Sequence, residues 1–487
     1  MTTAQVERSL PWLFLGGLLM YLATAVVNIG FIALDDYESG IAPVVPAQAQ
    51  NPAEFIRGSD FRSPIPTLTL LGISKVAYFL GVEDPANQYR VVLAVLALFS
   101  FGMNAWFGAK HFRLAQPREN LYQAVVLFLV GFYFLCPLFM TRPMIEALAA
   151  PFLTASSYFA CAYFKEKENI AKRLGQLLGA LFFLTLASLY RFQAGVCLLA
   201  LILTVLAARK PRDLFLLFRT GAILFIATGL LDWALKGGFH TTLMAYLRFN
   251  LANSSSFGTS PFYMFLLLFL GISLPPVFLS RYRNLNWVEE YLPLLPAVLY
   301  FAVFVLGHSL IPHKEERFMV PILPLFLIVL TPLATYLFRA HQTGQGSKWR
   351  LRYFLFFNFL LLGLASFNIA QNNIVGMARF IHRHPGITSV LGIEDTLVLF
   401  PRAFILHSIT DRPINWEELK SVSGTGCHEV LAVRHEFAAR TLATLPSFHT
   451  IAEFQPGFLE ALAVKLNPRH NARRGAIELM APKSCSF

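Results

Sequence analysis

About eleven apolar runs, each near the length that crosses a bilayer as a helix, decide most of what this chain can become. They cover 11–34, 89–109, 121–140, 143–164, 174–189, 192–208, 214–235, 261–280, 291–311, 318–339 and 353–374. Lipid offers no hydrogen bonds, so a spanning backbone must satisfy its own N–H and C=O groups, and runs of this length do so as helices. The runs therefore predict an all-α polytopic membrane protein. Composition agrees: only 14% of residues are charged, against about 25% in a soluble domain. The run at 11–34 is longer than a signal-peptide core, and acidic residues follow it instead of a small-residue cleavage site, so it reads as a retained helix.

Charge sets the orientation. The formal net charge is +12, but the basic residues fall in short connections: "KHFRLAQPREN", "KEKENIAKR", "RKPR", "RYRN" and "RAHQTGQGSKWRLR". That is the pattern of cytoplasmic loops, and it accounts for the charge without a nucleic-acid partner. Two apolar runs separate each basic connection from the next. The same parity allows only two crossings before residue 110. The extra apolar stretch at 64–82, with Lys75 and two early prolines, is then a re-entrant or interfacial helix on the outer side. The N-terminus is expected in the cytoplasm and the C-terminal region outside.

The chain divides at about residue 375. Residues 1–374 form the transmembrane domain. Residues 375–487 alternate short apolar runs, "TSVLGI", "TLVLF" and "HEVLAV", with helical patterns such as "HEFAARTLATL". This predicts a small extracytoplasmic α/β domain. No internal repeat, phosphate-binding glycine loop or metal-type Cys/His spacing stands out. Cys427 and Cys485 can pair in this region, although nothing in their spacing requires it.

With sides assigned, several chemistry-bearing residues gather at the outer ends of the runs. They are Asp35 and Asp36 in "DDYESG", Arg62, Arg142 in "MTRP", Arg191 in "LYRFQ", Asp232, Arg248, and "HKEERF" at 313–318. Carboxylates beside several cations at one membrane surface suit an anionic lipid phosphate and a carboxylate base. Each also has a plainer explanation. Asp35 and Asp36 can simply open a solvated loop. Arg142 and Arg191 can snorkel to headgroups. "SSSFGTSPF" reads as a flexible loop with Thr259 or Ser260 capping the helix that follows Pro261. Lys314 and Glu316 can neutralise each other.

"HKEERF" also resembles the HKExRF signature of the lipid-linked mannosyltransferases, glycosyltransferase family 22, which act in N-glycan-precursor and GPI-anchor assembly. His313, Lys314, Glu315, Arg317 and Phe318 fill the pattern. The resemblance extends to Asp232, Phe249-Asn250 and Phe257-Gly258-Thr259, to "FRSPIPTL", to "TRPMIEAL" with Glu146, and to "DDYES" after the first run. It runs from about residue 30 to residue 324. Two departures stand out: Asp35-Asp36 replaces the family's Asp-Glu, and the His and Trp of its His-Pro-Trp are missing.

The resemblance implies a GT-C fold with an outer-side juxtamembrane helix at 64–82. It implies an inverting mannosyltransferase acting on the lumenal or periplasmic face, in a bacterial inner membrane or the endoplasmic reticulum. The donor would be a polyprenyl phosphate mannose, the acceptor a glycolipid or glycan, and no cofactor or metal is implied. By the same analogy Asp35 is the base, with Asp36 a close second. Lys314 and Arg317 would hold the donor phosphate, supported by Arg62, Arg142 and Arg191. His313, Glu315, Asp232 and Asn250 would orient or bind substrate. Two rivals stay open. One is a GT-C transferase of another polyprenyl-linked sugar, which should lack HKExRF. The other is a lipid-linked-sugar transporter, which should show related halves and broken helices with charges near the midplane.

Overall fold

The computed structural model describes residues 3–32, 62–116, 119–256, 258–274, 282, 285–342, 348–398, 400–422, 426–471 and 474–485. Its main helices begin with α1 (Thr3–Val27), α2 (Pro64–Phe79), α3 (Pro85–Ala115), α4 (Asn120–Phe132), α5 (Ile145–Lys165) and α6 (Ile170–Tyr190). Then come α7 (Cys197–Ala207), α8 (Asp213–Lys236), α9 (Thr241–Ala252), α10 (Met264–Ile272), α11 (Leu295–Ser309), α12 (Leu323–Gln342), α13 (Lys348–Phe367) and α14 (Asn372–Arg383). Two compact units divide the chain. One comprises 1–24, 51–69 and 94–366; the other comprises 25–50, 70–93 and 367–487.

Among the described residues, seven helical stretches are long and apolar enough to cross a membrane. All eleven expected runs carry helix, but four hold only shorter pieces in their described residues: α4, 192–207, α10 and α11. The run 121–140 breaks for a visible reason. Helix α4 stops at Phe132, and a separate turn of helix covers Cys136–Met140. Asn358, far along the chain, donates to Phe132 O at 2.7 Å and accepts from Phe134 N at 3.1 Å. It supplies the hydrogen bonds that the broken backbone lacks, as lipid depth requires. The stretch 64–82 forms α2, whose 16 residues fall short of a full crossing.

In the first unit, α5 and α6 form a helical hairpin with a four-residue link, Glu166–Asn169. Asn169 starts α6 by accepting from Lys172 N at 2.9 Å. At the link end of the hairpin Asp213 takes Arg173 Nε at 3.1 Å and the Tyr163 hydroxyl at 2.9 Å. Side-chain hydrogen bonds stitch helices together, among them Thr154 to Asn104 and Ser156 with Tyr300, both at 2.8 Å. Small residues also let backbones meet. A Cβ on Gly17 would lie 2.9 Å from Gly131 Cα, so the α1 and α4 backbones approach closely at this glycine pair.

The second unit contains a five-stranded mixed sheet of β1 (Ser389–Ile393), β2 (Thr410–Ile414), β3 (Glu429–Arg434), β4 (Phe448–Phe454) and β5 (Ile477–Pro482). Its order is β2-β1-β3-β5-β4, with β1 parallel to both β2 and β3, and β5 antiparallel to β3 and β4. "TLVLF" forms no strand in its described residues. "TDRPI" does, because an edge position leaves the missing N–H of Pro413 harmless. Leu391, Ile393, Leu431, Val433 and Met480 line the core, closed by Ala438 and Leu445 of the helical stretch after β3. The last apolar helix ends at Phe367. The amphipathic α14 follows, burying Ile374, Met377, Ala378 and Ile381 at helical spacing, with Phe380 against Phe454 of β4.

Cys427 and Cys485 are joined, and Cys136, Cys161 and Cys197 are free and buried. Denatured protein treated with a maleimide is therefore expected to gain three labels before reduction and five after. Five labels without reduction would contradict the pairing. The bridge closes a loop of 58 residues, so Cys427→Ser should lower the second unit's stability by about 4 kcal/mol, read as a fall in Tm.

Candidate active site

The "HKEERF" connection begins four residues after α11 ends, and it leads through a 3-10 turn (Glu316–Ile322) into α12. Glu315 is its hub: it takes His313 Nε2 at 2.9 Å and Arg317 Nε at 2.6 Å. Burial pushes the Glu315 carboxyl up, but the bonds from Arg317 and His313 outweigh it and hold the group below its usual range. This contribution to stability is present at neutral pH and is lost only as pH falls past that depressed value. Lys314 does not pair with Glu316, which is exposed. It turns inward, 7% exposed, and donates to Ser260 O at 2.9 Å and Ile311 O at 2.6 Å. Its charge therefore has no carboxylate beside it in these bonds.

The "SSSFGTSPF" segment is part of the same structure. His313 N donates to Ser254 O at 3.1 Å, and Ser260 N to Pro312 O at 3.0 Å. Neither Thr259 nor Ser260 caps a helix; α10 begins at Met264 after Tyr263. The backbone pairing takes the place of the caps and holds this segment's described residues against the charged connection.

Arg191, where α6 ends, reaches the connection from another side. Its guanidinium lies over the Phe318 ring, 5.3 Å from the centroid, and its Nη1 meets Glu146 Oε1 at 2.5 Å. Glu146 lies in the first turn of α5, so the open end of the α5–α6 hairpin is closed by a buried ion pair. Arg142, four residues earlier, is fully buried. Arg62 sits just ahead of α2, where Ser63 Oγ donates to Leu189 O at 2.5 Å, and Thr69 bonds the Tyr190 hydroxyl at 3.0 Å. The start of α2 is thereby fastened to the end of α6, close in sequence to Arg191.

Two expected residues bond to nearby helical groups. Asp232 accepts from Thr242 N at 2.8 Å and Thr242 Oγ1 at 2.5 Å, tying the end of α8 to the start of α9. Asn250 is exposed and bonds back to Tyr246 O. Asp35 and Asp36 lie outside the described residues. The residues that sequence reasoning passed over are Tyr246 and His308. The Tyr246 phenol is pushed up by burial, drawn down by Arg191 and pushed up by Glu146, so it lies within electrostatic reach of both. Among the described residues, no three His, Cys, Asp or Glu side chains gather as a metal would need. Beside the site runs an apolar cavity of about 430 Å³, bounded by Ser63, Leu189, Phe192, Phe225, Asp232 and His240 among others.

This frame is a GT-C fold. It is similar to the crystal structure of ArnT from Cupriavidus metallidurans in the apo state, over 97% of this chain and 98% of that one. The TM-score is 0.54 at 11% identity, which concerns the fold alone. The same protein bound to undecaprenyl phosphate gives 0.53 over 98% of each chain, also at 11% identity. In sequence, residues 50–387 match the profile of the Alg9-like mannosyltransferase family, and the chain belongs to that family. GPI mannosyltransferase 3 of Yarrowia lipolytica is 30% identical over 340 residues, 68% of this chain and 62% of that one. Its counterpart in Saccharomyces cerevisiae is 24% identical over 229 residues, 43% of this chain and 37% of that one. The chain thus spans about three fifths of the first of these relatives, and less of the second.

Proposed function

We propose that this protein transfers mannose from a polyprenyl phosphate mannose to a glycolipid or glycan acceptor on the lumenal or periplasmic face. The observation that carries this reading is the connection of residues 313–318, bonded through its backbone to Ser254 and Ser260, with Lys314 bonded among the described residues to the carbonyls of Ser260 and Ile311. Asp35 or Asp36 accepts the proton of the acceptor hydroxyl as its oxygen attacks the anomeric carbon. The bond from that carbon to the phosphate oxygen breaks, and the polyprenyl phosphate leaves with inversion, so a β-linked donor gives an α-mannoside. Lys314 and Arg317, with Arg62 and Arg142, offset the leaving group's charge. Arg191 suits this task least, because Glu146 already matches its charge.

The apolar cavity suits the first isoprene units of the donor lipid, and a protein of the same fold has been seen with undecaprenyl phosphate. The disulfide supports an oxidising compartment for the C-terminal region, which fits a bacterial inner membrane or the endoplasmic reticulum. The relatives' name makes a GPI-type glycolipid the first acceptor to test. Purified protein given a short-chain mannosyl phosphoryl polyprenol and mannosylated acceptor lipids should form a mannoside, and Asp35→Asn or Asp36→Asn should abolish it. Turnover only with another polyprenyl-linked sugar would overturn the donor. Full turnover in both Asn variants would overturn the base.

A further inference from the structure

We infer that Arg191 and His308 together bind a hydroxyl group of the sugar being transferred or extended, an inference that rests on the mannosyltransferase reading. Both side chains are more than nine-tenths buried, at 6% and 3% exposure. Each keeps one polar atom without a hydrogen-bond partner, Arg191 Nε and His308 Nε2. Buried polar groups are rarely left so, and each such group calls for a cause.

The two atoms are chemically complementary. Arg191 Nε–H can only donate. His308 Nδ1 faces Phe304 O at 2.8 Å, and a carbonyl only accepts, so Nδ1 carries the proton. In the neutral ring Nε2 is then a bare acceptor. One hydroxyl, which both donates and accepts, satisfies the pair. The residues belong to neighbouring elements. A Cβ on Gly307 would lie 3.0 Å from Val196 Cγ2, so the last turn of α11 rests on the turn that follows Arg191. The Arg191 charge is also felt at His308.

Charge separates a hydroxyl from a phosphate. Glu146 neutralises Arg191 at 2.5 Å, so the cluster offers direction without net charge. Phe318 lies under the guanidinium, and the Tyr246 phenol is within electrostatic reach of the same pair. A buried neutral cluster of this kind suits a polyol. A water molecule has the same hydroxyl chemistry, so the test must tell the two apart.

The experiment is a cycle between side chain and substrate hydroxyl. Wild type, His308→Ala, His308→Gln and Arg191→Lys would be compared on mannosyl phosphoryl polyprenol and on donors and acceptors lacking single hydroxyls. Tm would be followed alongside. One deoxy substrate is expected to lose about 10- to 100-fold in kcat/KM with wild type, and less than about 3-fold with His308→Ala. His308→Gln, which keeps an acceptor, should retain most of the discrimination. Equal penalties in wild type and variants for every deoxy compound would overturn the inference, and a site filled by water gives that result. A wild type that transfers a different sugar sinks the mannose reading instead. The same cycle run on that sugar then decides the hydroxyl contact.

Discussion

Lys314→Met is expected to slow mannose transfer by about 10²- to 10³-fold, the usual effect of removing one preorganised charge from a site where negative charge develops. Methionine keeps the length of the stem, so the buried pocket stays filled. What goes is a fixed cation whose side-chain bonds run to two backbone oxygens, Ser260 O and Ile311 O. Lys314→Arg is not expected to rescue the rate, because those oxygens hold a compact ammonium and a planar fork places its charge elsewhere. The check is kcat with a short-chain donor at saturating acceptor. A Met variant within about threefold of wild type would remove Lys314 from the phosphate role.

Glu146→Met is expected to lower stability by about 3–5 kcal/mol, because it leaves the Arg191 charge buried without its partner. Arg191→Met alone should cost a similar amount for the converse reason. The double variant with Met at both positions should recover much of that loss, since apolar groups can fill the volume of a buried pair. Thermal unfolding in detergent reads all three. The double variant should also separate folding from function: it is expected to melt near wild type and still transfer poorly. Additive losses in the double variant would show that the two side chains do not act as a pair.

The sequence carried the helical frame well because bilayer thickness imposes one strong period on composition. Each expected run holds helix, and the short helix at 64–79 falls in the stretch that charge parity read as non-spanning. The misses share a cause in distant partners. Pro137 signals a break just past Phe132, but the group that satisfies it, Asn358, is far along the chain. "TLVLF" has the composition of a strand, yet the edge strand went to a segment with a proline. In "HKEERF" the residue types were legible and the pairing was not: the hub is Glu315, and Lys314 looks to backbone. Glu146 drew notice only through family likeness. An ionisable residue inside an apolar run is itself a signal, and His308 gave that signal unheeded.

The α5–α6 hairpin has one further consequence. Each helix has 21 residues, about 30 Å in length at the helical rise. A buried ion pair sits at either end, Arg173–Asp213 at the link and Glu146–Arg191 at the opening. Carrying either pair into hydrocarbon would cost several kcal/mol per ion, even with the pair intact. A hairpin with a buried ion pair at each end would therefore act as a gauge of bilayer depth. A membrane much thinner or thicker than that span would have to deform around it, or tilt it, and a tilt would carry Arg191 and Phe318 along. The length of the surrounding acyl chains would then bear on the transfer rate without any bilayer lipid entering the site.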